Sequence, residues 1–385
     1  MKKKLRRAIY NTVLDISRKS EKTQKAMWIG NVSDSYNRTA SKRLKHLPQP
    51  ELTEEQKKAI SDYWASYGIR IRDYSQFQWY YGKTGIEDPR FIPQDVWKNV
   101  VLPYYNRKEY EAAFQNKNLF ETFLPDCSFP ETVIKKQDGL FYDDHGKNIT
   151  EQEAAEKIAA FSEVIFKNAT ETGQGKNVKK YPVSSVEEAG KTLSLWQDKP
   201  DFLVQKVIKQ HPFFAQFNES SVNIIRFNSF FCRDKVYIHT PVLRFGLPGY
   251  VTDCAHINGE EIVRMVGITD GGEIRNKAIH LNGDEEPILE SVSDPIRKVP
   301  AFDKILRLID ENARKLPYFR ILGWDITVDQ DEDPIVVEFN IHMPSTYASQ
   351  ITNGPMWGDD TSAVLAFLKN EENRKNQIPS FYRLK

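Results

Sequence analysis

Two acidic side chains and an amide stand on two closely spaced apolar segments. These are Ile321-Leu322-Gly323-Trp324-Asp325-Ile326-Thr327-Val328 and Ile335-Val336-Val337-Glu338-Phe339-Asn340, separated by the polar stretch Asp329 to Pro334. The pattern predicts two strands joined by a turn. Alternation then places Trp324, Ile326 and Val328, with Ile335, Val337 and Phe339, on one face and leaves Asp325, Glu338 and Asn340 on the other. If Val328 pairs with Ile335, Asp325 stands opposite Glu338, and two facing carboxylates repel unless a cation bridges them. Oxygen ligands of this kind suit a hard ion such as Mg²⁺, which commonly shares them with substrate phosphates. The alternative is an exposed hairpin whose outer face happens to be acidic. Asp329-Gln330-Asp331 has the form of a glycosyltransferase DxD, but it falls in the expected turn, where Asp is favoured for backbone reasons alone.

A second group of residues offers positive charge. Val164-Ile165-Phe166-Lys167 predicts a short strand ending in a lysine, followed by Asn168-Ala169-Thr170-Glu171-Thr172-Gly173-Gln174-Gly175-Lys176. Glycines let backbone N–H groups approach phosphate oxygens, and the strand-end lysine supplies a point charge. The segment is not a Walker A loop: Thr170 stands where its first glycine belongs, and Asn177 follows Lys176 where Ser or Thr is needed. A plain hairpin turn fits the same residues. Further on, Asp201 to Ile208 predicts an apolar strand, and Ser221-Val222-Asn223-Ile224-Ile225-Arg226 and Val242-Leu243-Arg244-Phe245-Gly246 each carry an arginine. The guanidinium fork suits phosphoryl oxygens, though a surface salt bridge is the commoner fate of a single arginine.

The elements that must hold these groups are mixed. The stretch to about Leu47 is basic, with Ile9, Val13 and Ile16 at helical spacing, and predicts an amphipathic helix that packs on its own domain or lies on an anionic membrane surface. Pro48 and Pro50 break the chain, and Thr53 with Gln56 forms a capping box opening a helix towards Tyr67. The aromatic run Phe77-Gln78-Trp79-Tyr80-Tyr81 reads as core, ahead of helices near Val96 and Glu109. From Phe129 short strands alternate with capped helices, one from Thr150/Glu153 and one from Ser185/Glu188, which indicates a mixed α/β or α+β body.

Composition bounds the partners. The 385 residues have room for a large mixed domain or two to three smaller ones, and 40% hydrophobic residues can form a packed core. A net charge of +1 argues against a general nucleic-acid binder. No stretch approaches the roughly 18 apolar residues of a membrane span, and the basic start lacks a secretory apolar segment, so a cytoplasmic location is expected. Cys127, Cys232 and Cys254 form no CxxC pair, and the seven histidines form no zinc motif.

Taken in order, Lys117, Lys167, the Gly173/Gly175 loop, Gln205, Gln210-His211-Pro212, Ser221-x-Asn223-x-x-Arg226, Arg244-x-Gly246, Gly323-Trp324-Asp325 and Glu338-x-Asn340 resemble the ATP-grasp superfamily. The closer similarity, from about Trp79 to the C-terminal region, is to the sugar-transfer-associated ATP-grasp family. That resemblance implies an α+β ATP-grasp fold: a helical region over 1–115, a subdomain with the glycine loop over 116–205 and a metal-bearing subdomain over 206–385. It implies that Lys117 and Lys167 hold the phosphates of ATP, that the loop from Thr170 through Gly173, Gln174 and Gly175 closes over them, and that adenine lies near Gln205, Lys206, Val207 and Ile208. Arg244, with Arg226 as companion, would meet the transferred phosphoryl group; Asp325, Glu338 and Asn340 would carry Mg²⁺; and His342 with Pro344-Ser345-Thr346 would lie beside them. Asp253-Cys254 and Asn258-Gly259 depart from the family's usual Asp-Asn and Gly-Gly, which bears on the acceptor side. The activity implied is a carboxylate–amine ligase joining an amine or amino acid to an acidic sugar of a surface polysaccharide. A kinase of the same fold, a glycosyltransferase and a non-catalytic ATP-binding module are the alternatives.

Overall fold

The computed structural model describes residues 2–170, 177–290, 292–342 and 344–383. The chain divides into two compact units, one of Met1–Tyr104 with Gly358–Lys385 and one of Tyr105–Trp357.

The first unit is helical. α1 (Lys2–His46) ends just ahead of Pro48 and Pro50, residues that cannot continue a helix. α2 (Glu54–Ser66) opens on the expected capping box, Thr53 and Gln56 satisfying each other's backbone N–H. α3 (Ser75–Thr84) buries Phe77, Trp79, Tyr80 and Tyr81, so the aromatic run is core as its sequence suggests. The buried Asp95 carboxylate accepts from Ser33 Oγ at 2.7 Å, Gln76 Nε2 at 3.1 Å and Tyr382 Oη at 3.0 Å, which ties α1, α3 and the 380s segment together.

The second unit holds two antiparallel sheets. The six-stranded one comprises β1 (Thr132–Gln137), β2 (Leu140–Asp143), β3 (Asn148–Ile149), β4 (Glu163–Asn168), β5 (Val178–Pro182) and β6 (Phe202–Lys206), in the order β3-β2-β1-β6-β4-β5. Helices Glu151–Ala159 and Val186–Ser194 cover one face, and Val164, Phe166, Phe202 and Val204 pack with Ala154, Ile158, Ala189 and Leu193. The first of these helices carries the full Thr150/Glu153 capping box. In the second, Ser185 caps the Glu188 N–H while the Glu188 carboxylate reaches back to Ser184 instead.

The seven-stranded sheet follows from β7 (Ile224–Cys232) and β8 (Lys235–Phe245). After the small ribbon of β9 (Ala255–Ile257) and β10 (Glu260–Ile262), it adds β11 (Arg264–Gly267), β12 (Lys277–His280), β13 (Glu285–Pro287), β14 (Ile321–Val328) and β15 (Pro334–Asn340), in the order β13-β12-β11-β8-β7-β14-β15. Helix Phe302–Ala313 packs Ile305 and Ile309 into the core formed by Ile225, Phe227, Leu243, Trp324, Ile326 and Val336.

The hairpin of β14 and β15 differs from expectation in one respect. Val328 pairs with Pro334 and Ile326 with Val336, one residue out of the expected register, until a β-bulge before Asp325 restores the pairing of Asp325 with Glu338. The bulge also reverses the side-chain phase of β15. Val336, not Ile335 or Val337, joins Phe339 in the core, because the extra residue at Val337 lets the alternation restart. Without it, the register set at the turn would direct Glu338 into the core.

Candidate active site

Period-two alternation on the strands of both sheets converges on one cleft of the second unit. The residues adjoining the core positions Phe166, Ile225, Phe227, Leu243, Phe245, Trp324 and Phe339 point the other way, and these are Ile165, Lys167, Ile224, Arg226, Arg244, Asp325, Glu338 and Asn340. All of them line one solvent-open cleft, together with Lys117, Lys206 and Ile208.

The seven-stranded wall is already charge-paired. Arg226 grips Asp325 with both prongs of its fork, Nε donating to Oδ1 and Nη2 to Oδ2, the latter at 2.6 Å. Asn340 Nδ2 adds a third donor to Asp325 Oδ2 at 3.2 Å. Burial works against the Arg226 charge, but Asp325 outweighs it and raises the guanidinium pKa. Gly323 makes room for this pair: a Cβ there would stand 3.2 Å from the Pro344 ring and 3.5 Å from Arg226 Cδ. Arg244 Nη2 lies 2.9 Å from Asp253 Oδ2, yet off the hydrogen-bonding direction, since that oxygen accepts no hydrogen bond among the described residues. Burial raises the Asp253 pKa, with Arg244 pulling the other way. Gly246 lets the loop carrying Asp253 come close, because a Cβ at that position would run into the Thr252 carbonyl oxygen.

The facing wall carries lysines. Lys117 is anchored by its backbone N–H to the Ala169 carbonyl at 2.7 Å, just beyond β4, and its Nζ lies 3.0 Å from Glu338 Oε1. The Lys167 ammonium is pushed down to about 8, chiefly by desolvation; Glu338 opposes the shift and the neighbouring Lys117 charge adds to it. A lysine held this way gains when an anion arrives.

Not every expected residue faces the cleft. Gln205 and Val207 line adjoining recesses. Gln205 is buried, donates to the Pro130 carbonyl at 3.0 Å and leaves its Oε1 without a partner among the described residues. Lys206 does line the cleft, but it is paired with Glu131 and lies 5.2 Å from the Phe161 ring centre. Thr170 is exposed, and Gly173, Gln174 and Gly175 lie outside the described residues. His342 Nδ1 lies 2.9 Å from Glu111 Oε2. Asp329-Gln330-Asp331 forms the turn, Asp329 Oδ1 accepting the N–H groups of Asp331 and Asp333.

The Gln-His-Pro and Ser-x-Asn motifs hold the backbone. Gln210 Oε1 accepts from Asn223 N, and Asn223 Nδ2 donates to the carbonyls of Phe214 and Asn218, which fixes the entry into β7 three residues before Arg226. His211 caps the short helix Pro212–Ala215 through Nδ1. Sequence reasoning singled out none of the apolar lining residues but Ile208, and it gave Asp253 no place beside Arg244. Val337 enters through the bulge, which has no sequence signature. Asp253 was legible only as a carboxylate in a loop following the arginine strand.

The donor set of Asp325, Glu338 and Asn340 is all oxygen and fits a hard ion, although no cluster of three or more His, Cys, Asp or Glu side chains gathers among the described residues.

Residues 98–364 match the model of the sugar-transfer associated ATP-grasp family, and the chain belongs to that family. Its α+β body, two antiparallel sheets around a charged cleft preceded by a helical region, is an ATP-grasp fold. No curated protein matches the sequence. Among solved structures it is similar to the ATP-grasp ligase PsnB in complex with a minimal precursor, at 15% identity and a TM-score of 0.40, over 68% of this chain and 63% of that one. It is also similar to D-alanyl-alanine synthetase A from Vibrio cholerae O1 biovar eltor, at 12% identity and TM-score 0.38 over 69% and 65% of the two chains. A third is the VanG D-Ala:D-Ser ligase from Enterococcus faecalis, at 12% identity and TM-score 0.40 over 66% and 60%. The chain thus spans less than two thirds of each of these chains. Among the described residues no helix is long and apolar enough to cross a membrane.

Proposed function

We propose that the protein is an ATP-dependent carboxylate–amine ligase. It acts in the cytoplasm, joining an amine or amino acid to an acidic sugar in the biosynthesis of a surface polysaccharide. The observation that carries this reading is the meeting, in one cleft, of Lys117, Lys167, Arg226 and Arg244 with the all-oxygen group Asp325, Glu338 and Asn340. Phosphoryl transfer needs positioning and neutralised charge more than a protein nucleophile, and that inventory supplies both. The sugar association rests on the family alone.

In this mechanism Lys117 and Lys167 hold phosphate oxygens of ATP, with adenine along Gln205, Lys206, Val207 and Ile208. Segments 116–205 and 206–385 act as the two gripping halves. Asp325, Glu338 and Asn340 would hold Mg²⁺, which when bound neutralises phosphate charge. Arg226 positions the Asp325 carboxylate through its two-pronged contact. Arg244 faces the transferred group. A substrate carboxylate oxygen attacks the γ-phosphorus and ADP leaves; the amine nitrogen then attacks the acyl carbon, loses a proton, and expels inorganic phosphate.

Hydroxylamine distinguishes this chemistry from that of a kinase. With ATP, an acidic sugar substrate and hydroxylamine, the protein is expected to form a hydroxamate with matching ADP release. A stable phosphorylated sugar without hydroxamate rejects the ligase reading.

A further inference from the structure

We propose that the first half of α1, residues 2–28, is a docking surface for an anionic lipid bilayer. The inference is independent of the ligase reading and rests on the helical unit alone.

The described side chains of α1 change character at Ile29. From Ile29 onward it packs in the ordinary way, burying Ile29, Ser33 and Ala40. Immediately before that point Thr23, Gln24, Lys25, Ala26, Met27 and Trp28 are all exposed. Six consecutive residues cover more than one turn at about 3.6 residues per turn, so no side of the helix is buried there. Met27 is 63% and Trp28 52% exposed, the latter with its ring 5.6 Å from Lys98 Nζ. A helical stretch exposed all round, as 23–28 is, gains little from propensity alone and is stabilised by a surface to lie on.

Charge selects the surface. Residues 2–28 carry nine Lys and Arg against two acidic residues, Asp15 and Glu21, whereas the chain as a whole is only +1. The remainder is therefore net negative, and the balanced total conceals a strongly cationic segment. Such a segment complements a polyanion. The apolar residues favour lipid over nucleic acid: positions Leu5, Ile9, Val13 and Ile16 recur at spacings of four, four and three, and Met27 continues the series by period with Trp28 beside it. Basic residues interleaved with an apolar stripe and an interfacial tryptophan are what a helix lying in a headgroup layer presents.

The test uses the full chain in vesicle flotation, with phosphatidylcholine vesicles with and without phosphatidylserine, at low and high salt. Binding is expected only with phosphatidylserine and is weakened by salt. Replacing Lys2, Lys3, Lys4, Arg6 and Arg7 together by Gln should lower vesicle affinity at least about a hundredfold, given roughly fivefold per surface charge. Met27→Asp, outside that cluster and at an exposed site, should lower it several-fold while the circular dichroism spectrum is retained. The proposal is overturned if the intact chain stays with the unbound fraction, if both variants float like the parent, or if the chain binds an RNA oligonucleotide but not the vesicles. It is equally overturned if the segment is covered by a concentration-dependent dimer with no vesicle binding.

Discussion

The two walls of the cleft are built by the same rule and carry charge in opposite conditions. On the seven-stranded wall, alternation in β7 and β14 sets Arg226 against Asp325, and the pair is closed by two hydrogen bonds before any ligand arrives. On the six-stranded wall, alternation in β4 brings Lys167 to the cleft, but the nearby Glu338 already pairs with Lys117. One wall is set by complementary charges and contributes geometry. The other holds a desolvated cation that costs stability until an anion meets it, a common trade at binding sites.

Four substitutions probe the difference between the two walls. The largest effect is expected from Asp325→Ala, which strands the buried Arg226 charge. Removing one partner of such a pair costs about 3 to 5 kcal/mol, visible as a lower urea midpoint. Glu338→Gln takes the carboxylate from Lys117 and Lys167, so it should lower the urea midpoint by less than Asp325→Ala does, and it should reduce Mg²⁺-dependent ADP release at least about a hundredfold, the scale of a lost charge-stabilising group; parental turnover would remove Glu338 from the metal group.

Lys167→Met should act in the opposite sense on stability. Because the folded-state pKa is about 8 against an ordinary 10.5, the penalty for its charge is fully present below pH 8 and fades as pH rises towards 10.5. The parent should therefore gain roughly 2 kcal/mol across that window, allowing for partial access of water, and the variant should lack this rise. A pH dependence identical in both proteins would contradict the desolvation account. The smallest effect belongs to Asp331→Asn in the exposed turn, expected to change stability by less than about 0.5 kcal/mol and ADP release not at all. Loss of activity there would revive the nucleotide-sugar reading of Asp329-Gln330-Asp331.

The parts of this site that were legible in the sequence are those governed by local period and local caps. Asp325 and Glu338 face each other as expected, though the pairing is reached only through the bulge, and the Thr53 and Thr150 caps and the proline stop after α1 are each decided within a few residues. The bulge at Val337 was not legible, because it balances the turn register against the core demand for Val336 and Phe339 and leaves no mark in residue type. The Arg226–Asp325 contact escaped for a different reason: its partners are 99 residues apart and meet only once β7 and β14 pair. Likewise Gln210 and Asn223 read as motif residues, but their observed bonds go to backbone and, at Asn223 Oδ1, to the Ser221 hydroxyl.

If the lysine wall and the acidic hairpin together form a site for ATP with Mg²⁺, titration calorimetry of a non-hydrolysable ATP analogue should show binding by the parent that Mg²⁺ strengthens. Lys167→Met should bind at least about tenfold more weakly, the loss of one charge-assisted contact. Equal affinity in the two proteins, or binding indifferent to Mg²⁺, would mean that these residues do not form that site.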